Sequence, residues 1–449
     1  MYHLGVPQHL AAFEPIQSAA WERIAAIHPS TYARTRNALD GAVTGLSPYI
    51  THGFVSLADV ARAVAQNYAL GYQDKLVFEL GWRAFFHHVW AGVAQPEHIL
   101  QDMRPANVYK GRYSTQLPAD IREGRTGVPA IDAAVRQLYA TGYLHNHARM
   151  WLASYCVHLR KVHWRAGADW LYAHLLDGDL PSNHLSWQWV AATFSSKPYV
   201  FNASNVAKFA PQAAYKAWVS PKTVIDMGYE ELDAIARLQA DVGAEPGVHP
   251  GVAEPAALVA DASEPEFLAI LQEIWPADHM DSARAAIKNI ATNNIPAQSP
   301  QSSIALVHPW MLAGPDAMAT QATKLTQTTQ TARQAHLRIG IIHTPAHAAW
   351  PWSAARWRFV LTRMRGVCDQ LWMGNAADLA ACEGWPAQKQ VTSQTTLFEG
   401  YREILPRLAT LHAEPGLFAQ PDNLCLSFSK FYERVQRQQP DFSKLLQNT

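Results

Sequence analysis

Apolar residues recur every three to four positions through Val77–Trp90, Ile131–Tyr139 and Leu144–Leu159, the spacing that lines one face of a helix. Turn signals at Leu46-Ser47-Pro48, Gly124–Pro129, Asp177–Pro181 and Lys197-Pro198 separate these runs, and no alternating strand pattern stands out among them. Residues 17–220 therefore predict an almost wholly helical unit. From Gly243 to Pro265 the chain is rich in Pro, Gly and Ala, which predicts an irregular connection. Short helices are expected near Glu266–Ile274 and Ser282–Ile290, and Gln321–Gln334, rich in Thr and Gln, reads as a linker.

Beyond the linker the period changes. Leu337–Ile342 predicts a buried strand, Ala354–Val367 a helix, Gln370–Met373 a short strand, Thr396–His412 a helix and Leu424–Phe428 a last strand. That alternation predicts a small α/β domain, and no glycine-rich phosphate loop accompanies it. The expected class is mainly α. A helical domain over residues 1–220 is followed by a connection over 221–335 and a small α/β domain over 336–449.

Composition adds four points. The formal charge is zero, but residues 1–220 carry 19 Lys and Arg against 14 Asp and Glu, while residues 221–449 carry 18 against 23. The first half is thus the better candidate for a polyanion surface. Cys156, Cys368, Cys382 and Cys425 form no paired motif with metal-ligand spacing and read as reduced, packed thiols, so no metal cluster is expected. No apolar run of about 18 residues predicts a membrane span, and residues 1–16 lack a signal-peptide pattern; cytoplasm is the expected compartment. The 16 tryptophans exceed what a core of this size usually needs.

Four clusters carry candidate chemistry. On a helix Glu79, Trp82 and Arg83 share one face, as do Asn146, Arg149 and Met150. His145 and His147, two apart, point differently and make no helical metal pair; Pro345 opposes a regular helix between His343 and His347. Asp177-Gly178-Asp179 is a turn signal that places two carboxylates and Asn183 close together at the start of a helix opened by Pro181 or Ser182. Trp187 and Trp189 lie two apart on that helix, so they face different ways. Ser47 as N-cap with Pro48 behind it is a good helix start, where free N–H groups suit a phosphate.

Taken in order, the segments L-S-P-Y, E-L-x-W-R-x-F, T-G-x-P-x-I-D-A-A-x-R-Q-L, H-N-x-x-R-M and D-G-D-L-x-x-N-x-x-x-W-Q-W resemble the FAD-binding domain of photolyases and cryptochromes over roughly residues 20–220. The resemblance implies that Tyr32, Thr44 and Ser47 hold the phosphates and adenosine end of FAD. It sets Asp177 and Asp179 beside the isoalloxazine, Arg149 paired with Asp177, and Asn183 facing flavin N5. Trp187 and Trp164 correspond to the inner and middle tryptophans of an electron-transfer chain; the third, surface tryptophan has no match, Tyr109 or Tyr113 lies near its segment, and the outer step falls to a Tyr or another Trp. Glu79, Trp82, Arg83, Asn146, Met150 and Trp189 correspond to the pocket for a flipped pyrimidine dimer, with Glu79 and Asn146 taking part in the chemistry. Asn146 and Met150 point to cyclobutane dimers, since members acting on the (6-4) lesion carry histidines there.

The implied partner is DNA carrying pyrimidine dimers. The alternative is a blue-light photoreceptor signalling through a protein partner. Ala84 in place of a glutamate, Tyr143 in place of a tryptophan, a short loop over Thr193–Asn202 and the lack of an N-terminal α/β antenna domain depart from the family pattern.

Overall fold

A computed structural model describes residues 10, 12–93, 99–104, 113–210, 213–237, 258–259, 265–275, 304–314, 337–382, 385–414 and 416–448. Nine helices position the functional site: α1 (Gln17–Ala25), α2 (Pro29–Thr35), α3 (Ser47–Thr51), α4 (Leu57–Ala65), α5 (Lys75–Gly92), α6 (Pro129–Thr141), α7 (Asn146–Ser154), α8 (Trp164–His174) and α9 (Leu180–Ala191).

Their boundaries follow local chemistry. Ser56 and Asp59 close a reciprocal capping box on α4. α6 opens on Pro129 and stops at Gly142, whose φ of 65° a side chain would resist. There an added Cβ would also lie 2.6 Å from Leu176 Cγ. α9 is capped by the Asp179 carboxylate, which accepts from Ser182 N–H. α7 runs on into a single π turn, Tyr155–Leu159, which is buried throughout. α3 begins one residue earlier than expected: Leu46, not Ser47, is the cap, and Ser47 is the first helical residue.

The C-terminal half holds a five-stranded, wholly parallel sheet: β1 (Ile304–Val307), β2 (Leu337–His343), β3 (Gln370–Gly374), β4 (Val391–Gln394) and β5 (Thr410–His412). The strands lie in the order β3-β2-β1-β4-β5. Ile304 pairs with Leu337 on one side and Val391 on the other. The order reverses at β1, so the carboxyl ends of β1 and β4 flank the switch point of a doubly wound sheet. A second, two-stranded sheet pairs Leu258–Val259 with Trp352–Ser353. The helix after it, α10 (Ala354–Val367), has the bounds read from the sequence and is capped by Ser353. A further helix, α11 (Phe428–Gln438), packs back on α5.

Three expectations are corrected. β1 lies inside the stretch read as connection: its four residues are all buried and carry no alternation, because a central parallel strand is covered on both faces. Leu424–Phe428 is not a strand; Leu424 and Leu426 are exposed, and Phe428 opens α11. Thr396–His412 divides into the helix Tyr401–Leu408 and β5. The expected helix at Ser282–Ile290, the linker at Gln321–Gln334 and Tyr109 lie outside the described residues.

One core joins the two halves. Tyr49, Phe54 and Trp90 of the helical half belong to the same apolar cluster as Trp352, Phe359 and Ile339. A second cluster, around Trp151, Trp164, Trp170 and Trp187, lies within the helical half. Packing accounts for many of the tryptophans; Trp90, Trp151, Trp170, Trp218, Trp275, Trp352 and Trp357 are fully buried.

Candidate functional site

The turn between α8 and α9 brings Asp177 and Asp179 into the interior, their side chains 2% and 9% exposed. Arg149 on α7 donates from Nη2 to Asp177 Oδ2 at 2.7 Å and from Nε to the Leu144 carbonyl at 2.9 Å. Its guanidinium lies 5.3 Å from the Tyr143 ring centroid. Asp177 Oδ1 is buried with no hydrogen-bond partner among the described residues. A buried carboxylate oxygen left open is expensive. It borders a cavity of about 210 Å³ lined by Asn146, Arg149, Met150, Asp179, Asn183 and Trp187.

Asp179 is held differently. Arg83 Nη2 lies 3.4 Å from its Oδ1, and His87 Nε2 lies 3.1 and 3.0 Å from the two oxygens. Ser182 donates to it from both N–H and hydroxyl. Burial alone would raise this carboxyl; Arg83, His87 and Ser182 together override that and hold it well below the usual carboxylate range. Arg83 and His87 are four apart on α5, one turn beyond Glu79, so this face was readable from spacing. The sequence reading nevertheless missed His87.

Asn183 donates from Nδ2 to the Ala168 carbonyl at 2.8 Å, and its Oδ1 has no partner among the described residues. Trp187 lies against Gly167, where a Cβ would come within 2.3 Å of the indole. Trp164, at the start of α8, is buried and donates from its indole N–H to Asp102 at 2.7 Å. The Trp164 ring neighbours His163, and the ring of His163 neighbours Tyr113.

The other predicted residues fall elsewhere. Tyr32 and Thr44 line a second cavity, of about 640 Å³, together with Arg23 and Tyr49. Ser47 hydrogen-bonds the phenol of Tyr143, which burial pushes up to about 12. The Tyr143 ring packs at 5.1 Å on Phe13, whose neighbours Ala12 and Glu14 line that second cavity.

Glu79 is paired with Arg36 at 2.9 Å, a partner the sequence reading did not name; burial raises its carboxyl despite that guanidinium. Asn146 donates to Met150 Sδ at 3.6 Å, so those two meet at the first cavity. Trp82 and Trp189 do not line it. Trp82 stacks on Phe428 of α11 at 4.1 Å and 7°, and Trp189 faces Tyr199 at 5.9 Å.

The histidines serve the fold. His145 caps α7 through Nδ1, with Nε2–H donating to the Arg36 carbonyl, and burial lowers it to about 3. Pro345 does not prevent a helix at Thr344–Ala349, because it sits in the first turn, where no N–H is needed. His347 in that helix is buried, 3.0 Å from the Tyr401 hydroxyl. Among the described residues no group of three His, Cys, Asp or Glu side chains could hold a metal, and no helix is long and apolar enough to cross a membrane. The four cysteines are unpaired, with Cys156, Cys368 and Cys425 buried.

The donor set fits a flavin: an open carboxylate oxygen, an amide oxygen and an indole converge on one cavity. Residues 76–230 match the family model of the FAD binding domain of DNA photolyase. The deoxyribodipyrimidine photo-lyase of Streptomyces griseus is 38% identical over 152 residues, covering 34% of this chain and 32% of that protein. That of Synechococcus is 32% identical over 207 residues, covering 41% of this chain and 42% of that protein. A cryptochrome DASH from Ostreococcus tauri is 31% identical over 208 residues, covering 44% of this chain and 38% of that protein. Among solved structures, a Synechocystis cryptochrome superimposes with a TM-score of 0.38 at 25% identity, over 49% of this chain and 48% of that one. The chain spans about a third to two fifths of the length of these curated relatives. Residues 76–230 are thus similar to the FAD binding domain of DNA photolyase, a domain whose cofactor is FAD.

Proposed function

We propose that the chain is a light-driven flavoenzyme acting on cyclobutane pyrimidine dimers in DNA. The observation that carries this reading is the single cavity at which Asp177, Asn183 and Trp187 meet Asn146 and Met150. Asp177, Asn183 and Arg149 would hold the FAD, whose reduced form would supply, on blue-light excitation, the electron that splits the cyclobutane ring and is then recovered.

The chain's own residues bind, orient and tune. Arg149 fixes Asp177, leaving Oδ1 open to accept from an N–H of the cofactor. Asn183, anchored through its NH2 group, presents its amide oxygen as an acceptor. Trp187 and Trp164 are assigned to the path by which an oxidising equivalent would move outward from the cavity, and Trp164 neighbours His163, which neighbours Tyr113. Tyr32, Thr44 and Ser47 are assigned to the adenosine and phosphate end. On the substrate side, Asn146 and Met150 border the cavity, and Glu79 and Arg83 on α5 are assigned to a base edge. A dimer would have to be flipped out of the duplex to reach them.

The test is loss of dimers from a thymine-dimer oligonucleotide under blue light, with the flavin reduced. Repair is expected on single-stranded or duplex substrate; no repair of either by protein carrying reduced FAD would falsify the reading. One observation favours the second reading, a photoreceptor with a protein partner. Trp82, assigned to the flipped base, is already covered by Phe428 of the chain's own α11. Light-dependent change in partner binding without repair would select that reading.

A further inference from the structure

The backbone of the acidic turn is held from outside. Its three successive carbonyls each have a side-chain partner. His52 Nε2 lies 2.9 Å from the Leu176 oxygen, Thr51 donates to the Asp177 oxygen at 3.3 Å, and Arg356 Nη2 donates to the Gly178 oxygen at 2.6 Å. Arg356 also donates from Nη1 to the Tyr172 carbonyl at 3.1 Å. Thr51 and His52 belong to the helical half. Arg356 comes from the first turn of α10, almost two hundred positions along the chain.

This arginine is fully buried. Its guanidinium lies 3.9 Å from the Trp352 ring centroid and 4.8 Å from that of Tyr172, and the Trp352 indole N–H donates to the Tyr172 hydroxyl at 3.0 Å. A Cβ on Gly178 would fall 2.3 Å from Arg356 Nη1, so the glycine is what lets the guanidinium reach the turn. Arg356 bonds neither carboxylate, yet both Asp177 and Asp179 act on it electrostatically. A buried cation set beneath two nearby carboxylates offsets their mutual repulsion and fixes the turn at the same time.

We propose that Arg356 is a positioning residue of the flavin site, so that the C-terminal α/β half completes the pocket for FAD. This rests on the reading that Asp177 and Asp179 face the flavin. Removing the cation leaves the site more negative, which disfavours a reduced flavin anion and lowers the reduction potential. Removing the two carbonyl contacts loosens the turn and weakens cofactor binding.

The experiment compares Arg356→Gln and Arg356→Lys with the wild type and with Arg358→Gln, an exposed change on the same helix. Far-UV circular dichroism and thermal melts report folding. FAD affinity is read by titrating apoprotein, and the midpoint potential by dye equilibration. Arg356→Gln is expected to weaken FAD binding about tenfold and lower the potential. Arg356→Lys should recover the potential but only part of the affinity, and Arg358→Gln should change neither. A folded Arg356→Gln with wild-type affinity and potential overturns the proposal. Hydrogen exchange on the wild type decides without any variant. FAD should slow exchange at residues 353–357 together with 176–183, whereas protection confined to the helical half overturns the proposal. Asp177→Asn and Asp179→Asn, run in parallel, separate the two ideas. If they lose FAD while the Arg356 variants keep it, only the role of Arg356 falls. If they too bind FAD normally, the assignment of the turn itself falls.

Discussion

At the scale of single residues, the site depends on polar atoms whose partners are incomplete among the described residues. Trp187 is buried against Gly167 at the cavity wall, and on the proposed reading it is the first donor to an excited oxidised flavin. Trp187→Phe should therefore slow photoreduction by about tenfold or more while leaving FAD binding largely intact, because an aromatic ring of similar shape still fills the space. Stopped illumination followed by absorption at the flavin band measures this, and an unchanged rate rules out Trp187 as that donor. A structural counterpart is Gly142. At φ of 65°, and with Leu176 2.6 Å from an added Cβ, Gly142→Ala should cost about 1–2 kcal/mol in urea unfolding.

These residues differ in how far the sequence disclosed them. Arg149 and Asp177 were readable as a pair from the resemblance, and the 2.7 Å contact joins them. His87 shares a helix face with Arg83 by its spacing, but only the fold shows that it reaches Asp179. Arg356 gives no signal in sequence: in Ala354–Val367 it is one of four arginines, and only the fold selects the one that is buried.

At the scale of elements, helices bounded by chemical punctuation were legible and central strands were not. α10, with Ser353 before it and a regular apolar spacing, has the expected ends. β1 consists of four apolar residues without alternation, too few to distinguish a strand from any other buried run. In sequence α11 is hidden because its first residue, Phe428, closes an apolar run that resembles a strand. Phe428 touches Phe78, Trp82 and Tyr432. Phe428→Ala should destabilise the protein by about 3 kcal/mol, seen as a lower denaturant midpoint. It should also bare the Trp82 face. On the repair reading, a stabilised Phe428→Ala background then binds dimer-containing DNA more tightly than the wild type; unchanged binding removes Trp82 from the substrate pocket.

For the whole molecule, several histidines are buried and neutral. Burial lowers His145 to about 3 and His158 and His308 to about 4. The unfolded chain binds protons at these rings near pH 6.5, whereas the folded protein does not until far lower pH. Their contribution to stability is thus complete above pH 6.5 and is lost as pH falls from there toward 4. The slope reaches about 1.4 kcal/mol per pH unit for each ring. Urea unfolding at pH 7.5, 6.0 and 5.0 should show a midpoint that drops at each step, and a flat profile would contradict the buried neutral state.

The shared core has a further consequence, for synthesis. Gln17 hydrogen-bonds Phe54, but its side-chain oxygen also receives Gly314 N–H and lies 3.2 Å from Arg363 Nη2, and Tyr72 donates to the Gln439 carbonyl. The segments around Gln17 and Tyr72 therefore wait for residues some three hundred positions later before these contacts can form. Contacts that close such long loops are slow to form, and an emerging chain with uncovered faces aggregates readily. Refolding from urea should accordingly show secondary structure returning well before the tryptophan signal of the joined core. Nascent chains stalled before residue 304 should be far more sensitive to protease than the released protein.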